Sequence, residues 1–165
     1  MLLGILKKLF LGFLEKDSLF LNNKYSVFPF VILALLLGGL SSSDTASDLW
    51  YLELNKSSLN PPGYVFGIVW PILYILMSIS AFRTYAETKN LFLIQLFINA
   101  IWSWLFFAFH MPLIALLNIW FLIALNIRLT IDMFKLDRIS GILFVPYVIW
   151  LLFASYLNLF IVINN

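Results

Sequence analysis

Five long apolar stretches, each set off from the next by a polar break, constrain this chain more than any other feature. They run from about Tyr25 to Leu40, Val65 to Arg83, Leu91 to His110, Leu113 to about Phe134, and Ile139 to Ile163. A membrane-crossing helix needs roughly 20 mostly apolar residues, whereas a crossing strand needs only about 10. The runs are continuous rather than alternating, which predicts helices and excludes an outer-membrane-type barrel. In hydrocarbon the backbone has no water to bond, so each crossing segment must satisfy its own polar groups as a helix. Composition agrees. Of 165 residues, 63% are hydrophobic and 11% charged, against roughly 45–50% and about 25% in ordinary soluble domains. That is too little charge to solvate a soluble enzyme and too much apolar content for disorder. With no Cys there is no disulfide or thiolate chemistry. A net charge of +2 is too small to suggest a nucleic-acid partner. The predicted class is an all-α integral membrane protein, a five-transmembrane-helix bundle.

The breaks are legible too. Gly38-Gly39 and Ser41-Ser42-Ser43 end the first span, and a polar loop runs from about Ser41 to Gly63. Its closing Asn60-Pro61-Pro62-Gly63 suits the first turn of the next helix. Glu87-Thr88-Lys89-Asn90 is expected to separate spans two and three. His110-Met111-Pro112 reads as a tight turn, and Lys135-Leu136-Asp137-Arg138 as the last link. Short links force antiparallel neighbours and a compact bundle. Residues 1–24 differ, with Lys7 and Lys8 inside an apolar run. They read as an amphipathic leader lying in the membrane interface, with its lysines snorkelling. The domain reading is therefore 1–24 leader and 25–165 transmembrane bundle. Five spans place Lys7, Lys8, Lys16, Lys24, Arg83, Lys89, Arg128, Lys135 and Arg138 on one side and only Lys56 on the other. The positive-inside rule then puts the N-terminus in the cytoplasm and the C-terminus on the opposite side.

Polar groups within the spans are the first functional candidates, because each is costly in lipid. Asn99, Asn118, Asn126 and Asn158 qualify. Interhelical hydrogen bonds are the structural reading of all four, and Asn99 stands equally as a ligand contact. No Asp, Glu or Lys lies mid-span, which argues against an ion pump or proton-coupled carrier. Arg128 and Asp132, four apart, read as a helix-edge pair. His110, the single histidine, has no evident second ligand for a metal or haem, and no metal site is expected. Aromatics gather elsewhere. Trp50 and Tyr51 suit an interfacial belt. Phe66, Trp70 and Tyr74 recur every four residues and so share one helical face. With Trp102 and Trp150 they suggest a lining for a large flat apolar ligand.

These residues, in this order, resemble the TspO/MBR family (translocator protein, peripheral benzodiazepine receptor-like). The resemblance rests on Trp50-Tyr51, Leu54, Lys56 and Asn60-Pro61-Pro62-Gly63-Tyr64-Val65-Phe66-Gly67, running into Val69-Trp70 and Leu73-Tyr74. Gln95, Asn99, Trp102 and Phe106-Phe107 follow in the third span. Val145-Pro146-Tyr147, Trp150, Phe153-Ala154, Tyr156 and Leu157-Asn158 complete it in the fifth. It covers about Tyr25 to Ile163.

The resemblance implies a membrane-embedded receptor for porphyrins, other tetrapyrroles and related flat lipophilic molecules. It implies no required cofactor, a lipid bilayer and a lipophilic small molecule as partners, and often a homodimer. The ligand-binding walls it implies are Phe66, Trp70, Tyr74, Asn99, Trp102, Trp150 and Ala154. Two alternatives come with it: light-dependent porphyrin degradation through Trp70 and Trp150, or transport of tetrapyrroles or sterols. The chain departs from the family in two places. Lys56-Ser57-Ser58-Leu59 stands where Lys-Pro-x-Trp is usual, which predicts a looser cover over the pocket. Leu159 and Ile163 replace the tyrosine and basic residue of the animal cholesterol motif, so that motif gives no support for sterol recognition here.

Overall fold

The computed structural model describes residues 22–165; the expected leader falls almost wholly outside them. A 3-10 turn at Lys24–Ser26 leads into α1 (Val27–Ser41). A short helix α2 (Leu49–Glu53) lies in the long loop, followed by α3 (Gly63–Arg83) and α4 (Tyr85–Ser103). A π-helical turn at Trp104–Ala108 extends α4, and α5 (Pro112–Leu136) and α6 (Arg138–Asn164) complete the chain. Five helical segments are long and apolar enough to cross a membrane. They close into a ring in which α1 packs on α3, α3 on α6, α6 on α5, α5 on α4, and α4 back on α1. Large apolar side chains also cover the outside, among them Ile75, Phe97 and Ile149. A helix that is apolar all round belongs in hydrocarbon, and the chain is a multi-pass integral membrane protein.

The interior is packed most tightly at the end where α3 meets α4 and α5 meets α6. Met77, Ala81, Phe92, Leu129, Met133 and Phe144 are all fully buried there. Ser80 of α3 donates to the backbone carbonyl of Ser140 in α6 at 2.6 Å. Outside this core, Arg83 Nε pairs with Asp137 Oδ2 at 2.5 Å. That contact and the Ser140 hydroxyl hold the Asp137 carboxyl well below the usual carboxylate range. Asp137 is also the whole link between α5 and α6, accepting from the Ile139 backbone as the N-cap of α6.

Three expectations about the links are corrected. Glu87-Thr88-Lys89-Asn90 does not separate two helices; it lies inside α4, and Thr84 is the junction. Thr84 and Thr88 turn their hydroxyls back onto the carbonyls of Ser80 and Thr84, at 3.0 and 2.9 Å. Their polarity is thus absorbed locally, while Glu87 and Asn90 face outward. Hydropathy marks where the bilayer ends, not where the helix does. The double proline, secondly, precedes α3 rather than filling its first turn, with Pro62 as the N-cap residue. Thirdly, the long loop carries a helix of its own, capped by Asp48 Oδ1 accepting from the Trp50 N–H at 3.0 Å.

Gly141 fixes how closely α5 and α6 approach. A Cβ at this position would lie 2.3 Å from Cγ of Phe134. Gly141→Ala is expected to lower stability by about 1–3 kcal/mol through overpacking, read as a drop in thermal midpoint in a fixed detergent. Adding Phe134→Ala should restore part of the loss. An unchanged midpoint in Gly141→Ala would show that the helices separate freely here.

Candidate ligand-binding cavity

At the opposite end of the ring the helices do not fill the space between them. A cavity of about 790 Å³ lies under the long loop. Its walls come from α1, α3, α4, the π turn and α6, and its rim from the loop. Two kinds of residue shape it. Gly38, Gly39, Gly63 and Gly67 withdraw volume: a Cβ on any of them would meet nothing closer than 3.9 Å. Trp70, Trp102, Phe107 and Trp150 supply rigid flat walls. Phe66, Trp70, Tyr74, Asn99, Trp102, Trp150 and Ala154, the seven residues picked from the sequence, all line this one cavity.

The aromatic contacts are specific. Trp70 and Trp150, on α3 and α6, meet edge to face with centroids 6.5 Å apart. Trp70 also lies 5.8 Å from Tyr74 and 6.4 Å from Tyr147. Phe66 shares the helical face of Trp70 yet packs on Trp150, at 5.7 Å.

Beneath the aromatics runs a buried hydrogen-bonded chain. The Tyr74 hydroxyl donates to Asn99 Oδ1 at 3.3 Å. Asn99 Nδ2 donates to the Tyr147 hydroxyl at 2.5 Å, which donates onward to Gln95 Oε1 at 3.0 Å. Asn99 is therefore a joint between helices, and it also lines the cavity. Trp102 Nε1 donates to Asn158 Oδ1 at 3.2 Å, and Asn158 Nδ2 to the carbonyl of Pro112 at 2.8 Å. The other two amides do not bridge as expected. Asn126 Nδ2 bonds the carbonyl of Leu122 in its own helix, and its Oδ1 is buried without a partner, as is Asn118 Oδ1. Trp150 Nε1 is likewise buried and unpartnered.

The cover is anchored at several points despite its departures from the family pattern. The Ser57 and Tyr156 hydroxyls lie 3.0 Å apart. Asn55 bonds both Asn164 and Asn165 at the chain's end. Trp50, expected in an interfacial belt, stacks on His110 at 4.2 Å. His110 Nε2 in turn lies 2.9 Å from Asp48 Oδ2. His110 has φ 53°, a left-handed turn that histidine tolerates better than most residues. Tyr51 also lines the cavity, and burial pushes its phenol above the ordinary value despite a hydrogen bond with Asn60. Sequence reasoning missed the contribution of α1. The sequence marks Gly38 and Gly39 as a helix end, although small residues amid bulky ones are also the signature of an opening.

The arrangement defines a class: a membrane helical bundle holding a largely apolar, aromatic-walled chamber beneath a loop. The chain belongs to the TspO/MBR family, whose sequence profile matches residues 27–163. It is similar to the tryptophan-rich protein TspO of Archaeoglobus fulgidus, with 35% identity over 146 residues, covering 82% of this chain and 94% of that protein. Protein CrtK of Rhodobacter capsulatus shares 32% identity over 146 residues, 81% of this chain and 89% of the relative. The human translocator protein shares 28% over 119 residues, 66% and 70% of the two chains.

The Trp102 and Trp150 indoles should respond differently to the same change. Trp102→Phe strands Asn158 Oδ1, a loss of about 1–3 kcal/mol. Trp150→Phe deletes a donor that has no partner, so its polar loss is absent. Unfolding in one detergent should therefore rank Trp102→Phe as the less stable variant; the reverse order would refute these bonding roles.

Proposed function

We propose that this protein is a membrane-embedded receptor for porphyrins and related flat lipophilic tetrapyrroles, working without a resident cofactor. The observation that carries this reading is the shape and surface of the cavity. Ligand chambers usually enclose about 300–1,000 Å³ and are mostly apolar with a few placed polar groups. This one is about 790 Å³, with three indoles around it and a single amide, Asn99, among its deep walls. A planar macrocycle gains both buried area and offset stacking against such walls. Family membership supports the same reading.

Titrating the purified protein with protoporphyrin IX should give saturable quenching of tryptophan fluorescence. Trp70→Ala and Trp150→Ala should each weaken binding by about tenfold or more through lost stacking area. Trp120→Phe, on the outer face of α5, should leave it unchanged. Absence of saturation, or equal affinity in all four proteins, sinks the proposal.

A second reading is favoured by the contact between Trp70 and Trp150 at 6.5 Å. Two adjoining indoles beside a bound porphyrin could feed an electron to its excited state, leading in the presence of dioxygen to oxidative breakdown of the macrocycle. Illuminating the complex in air should then yield a product spectrum that porphyrin in detergent alone does not give. An identical spectrum in Trp70→Phe would dismiss this chemistry.

We further propose that the cavity's mouth faces away from the cytoplasm. Of the basic residues described, Lys24, Arg83, Lys89, Arg128, Lys135 and Arg138 gather at the end opposite Lys56, and the positive-inside rule places them in the cytoplasm. The chain has no Cys, so single cysteines can be placed at will. In intact cells an impermeant maleimide should label Ser58→Cys and spare Asn90→Cys. The opposite pattern would reverse the orientation.

A further inference from the structure

Among the residues that line the cavity, a single one carries a formal charge, and it is Lys56. The side chain is partly buried, and its ammonium donates weakly to the carbonyls of Leu52 and Leu54, at 3.3 and 3.4 Å. It also sits 4.5 Å above the Tyr51 ring. Neither contact neutralises it, and among the described residues it joins no ion pair. The nearby acids are directed elsewhere. Asp48 is taken up by His110 and by the cap of α2, and Glu53 is exposed and outside the lining. A cation on the wall of an apolar chamber acts through a lower dielectric than water, so its preference for an anion is strengthened. With three N–H donors it can still offer a hydrogen bond to a guest.

The polarity of the chamber is therefore graded. Lys56 and Asn60 stand at the rim, while Trp70, Trp150 and Tyr74 stand deeper. We propose that Lys56 is the carboxylate-binding residue of this cavity. It selects flat amphiphilic acids over neutral flat lipophiles and holds them acidic edge outward. This rests on the tetrapyrrole reading above and narrows it to a charge class.

The test compares protoporphyrin IX, which carries two carboxylates, with its neutral dimethyl ester. Binding of each is measured in one detergent by tryptophan quenching. The wild-type protein should bind the acid about tenfold more tightly than the ester, the scale of a partly desolvated charge pair. In Lys56→Gln the acid should fall to the level of the ester, with the ester unchanged. Lys56→Arg should keep the preference and Lys56→Glu should invert it. Raising the salt concentration should weaken only the acid, and only where residue 56 is basic. Oleate, an acid with no flat body, should displace the porphyrin at least about tenfold less well than unlabelled porphyrin does, since it forfeits the stacking; equal displacement overturns the requirement for a flat guest. The same acid-to-ester ratio in wild type and Lys56→Gln overturns the role of Lys56 while leaving the receptor standing. Lack of saturable binding by either ligand overturns both.

Discussion

A tyrosine hydroxyl buried in hydrocarbon must find partners, and the way Tyr147 finds them organises the bundle. It is completely buried on α6, accepting from Asn99 and donating to Gln95, both on α4. Asn99 in turn accepts from Tyr74 on α3. Four side chains thus tie three helices together at one depth. An unpaired polar group there would cost about 1–3 kcal/mol, so register and rotation of the three helices are specified together. In lipid this matters more than in water, because apolar contact alone scarcely distinguishes a neighbouring helix from a lipid tail. The network also marks a boundary. On one side the interior is filled by Met77, Phe92 and Phe144; on the other it opens.

The opening follows from side-chain volume. Beyond the network, α1 and α3 present glycine at four positions while the facing helices carry indoles and phenyl rings. The small residues leave space that the rigid rings are too constrained to fill. Packing at protein density elsewhere makes such a void costly unless something occupies it. The loop above it is held by contacts distributed over α6 and the chain's end, namely Ser57 with Tyr156 and Asn55 with Asn164 and Asn165. The loop is therefore attached without the Pro and Trp usual in that segment.

Much of this was legible beforehand, for identifiable reasons. The five spans could be read because a bilayer demands continuous apolar length, a signal carried by whole segments. The cavity wall could be read because Phe66, Trp70 and Tyr74 repeat at helical spacing and the family pattern supplied Asn99, Trp102, Trp150 and Ala154. What escaped depended on pairing at a distance. Nothing in the sequence near Asn126 tells whether its amide turns to Leu122 of its own helix or to a neighbour. Nothing near Trp50 announces a stack on His110, sixty residues away in sequence. The start of α4 was misplaced because Thr84 and Thr88 hide their polarity by bonding backward, which lets the helix continue through residues that look like a break. The cavity's small-residue wall was overlooked because glycine was weighed as a terminator rather than as missing volume.

The unequal filling of the two ends has a directional consequence. The chamber ends at Tyr74 and Asn99, behind which Tyr147 lies fully buried in the packed core, and the loop forms its rim. The molecule at rest is thus asymmetric along its axis, hollow near one mouth and solid at the other.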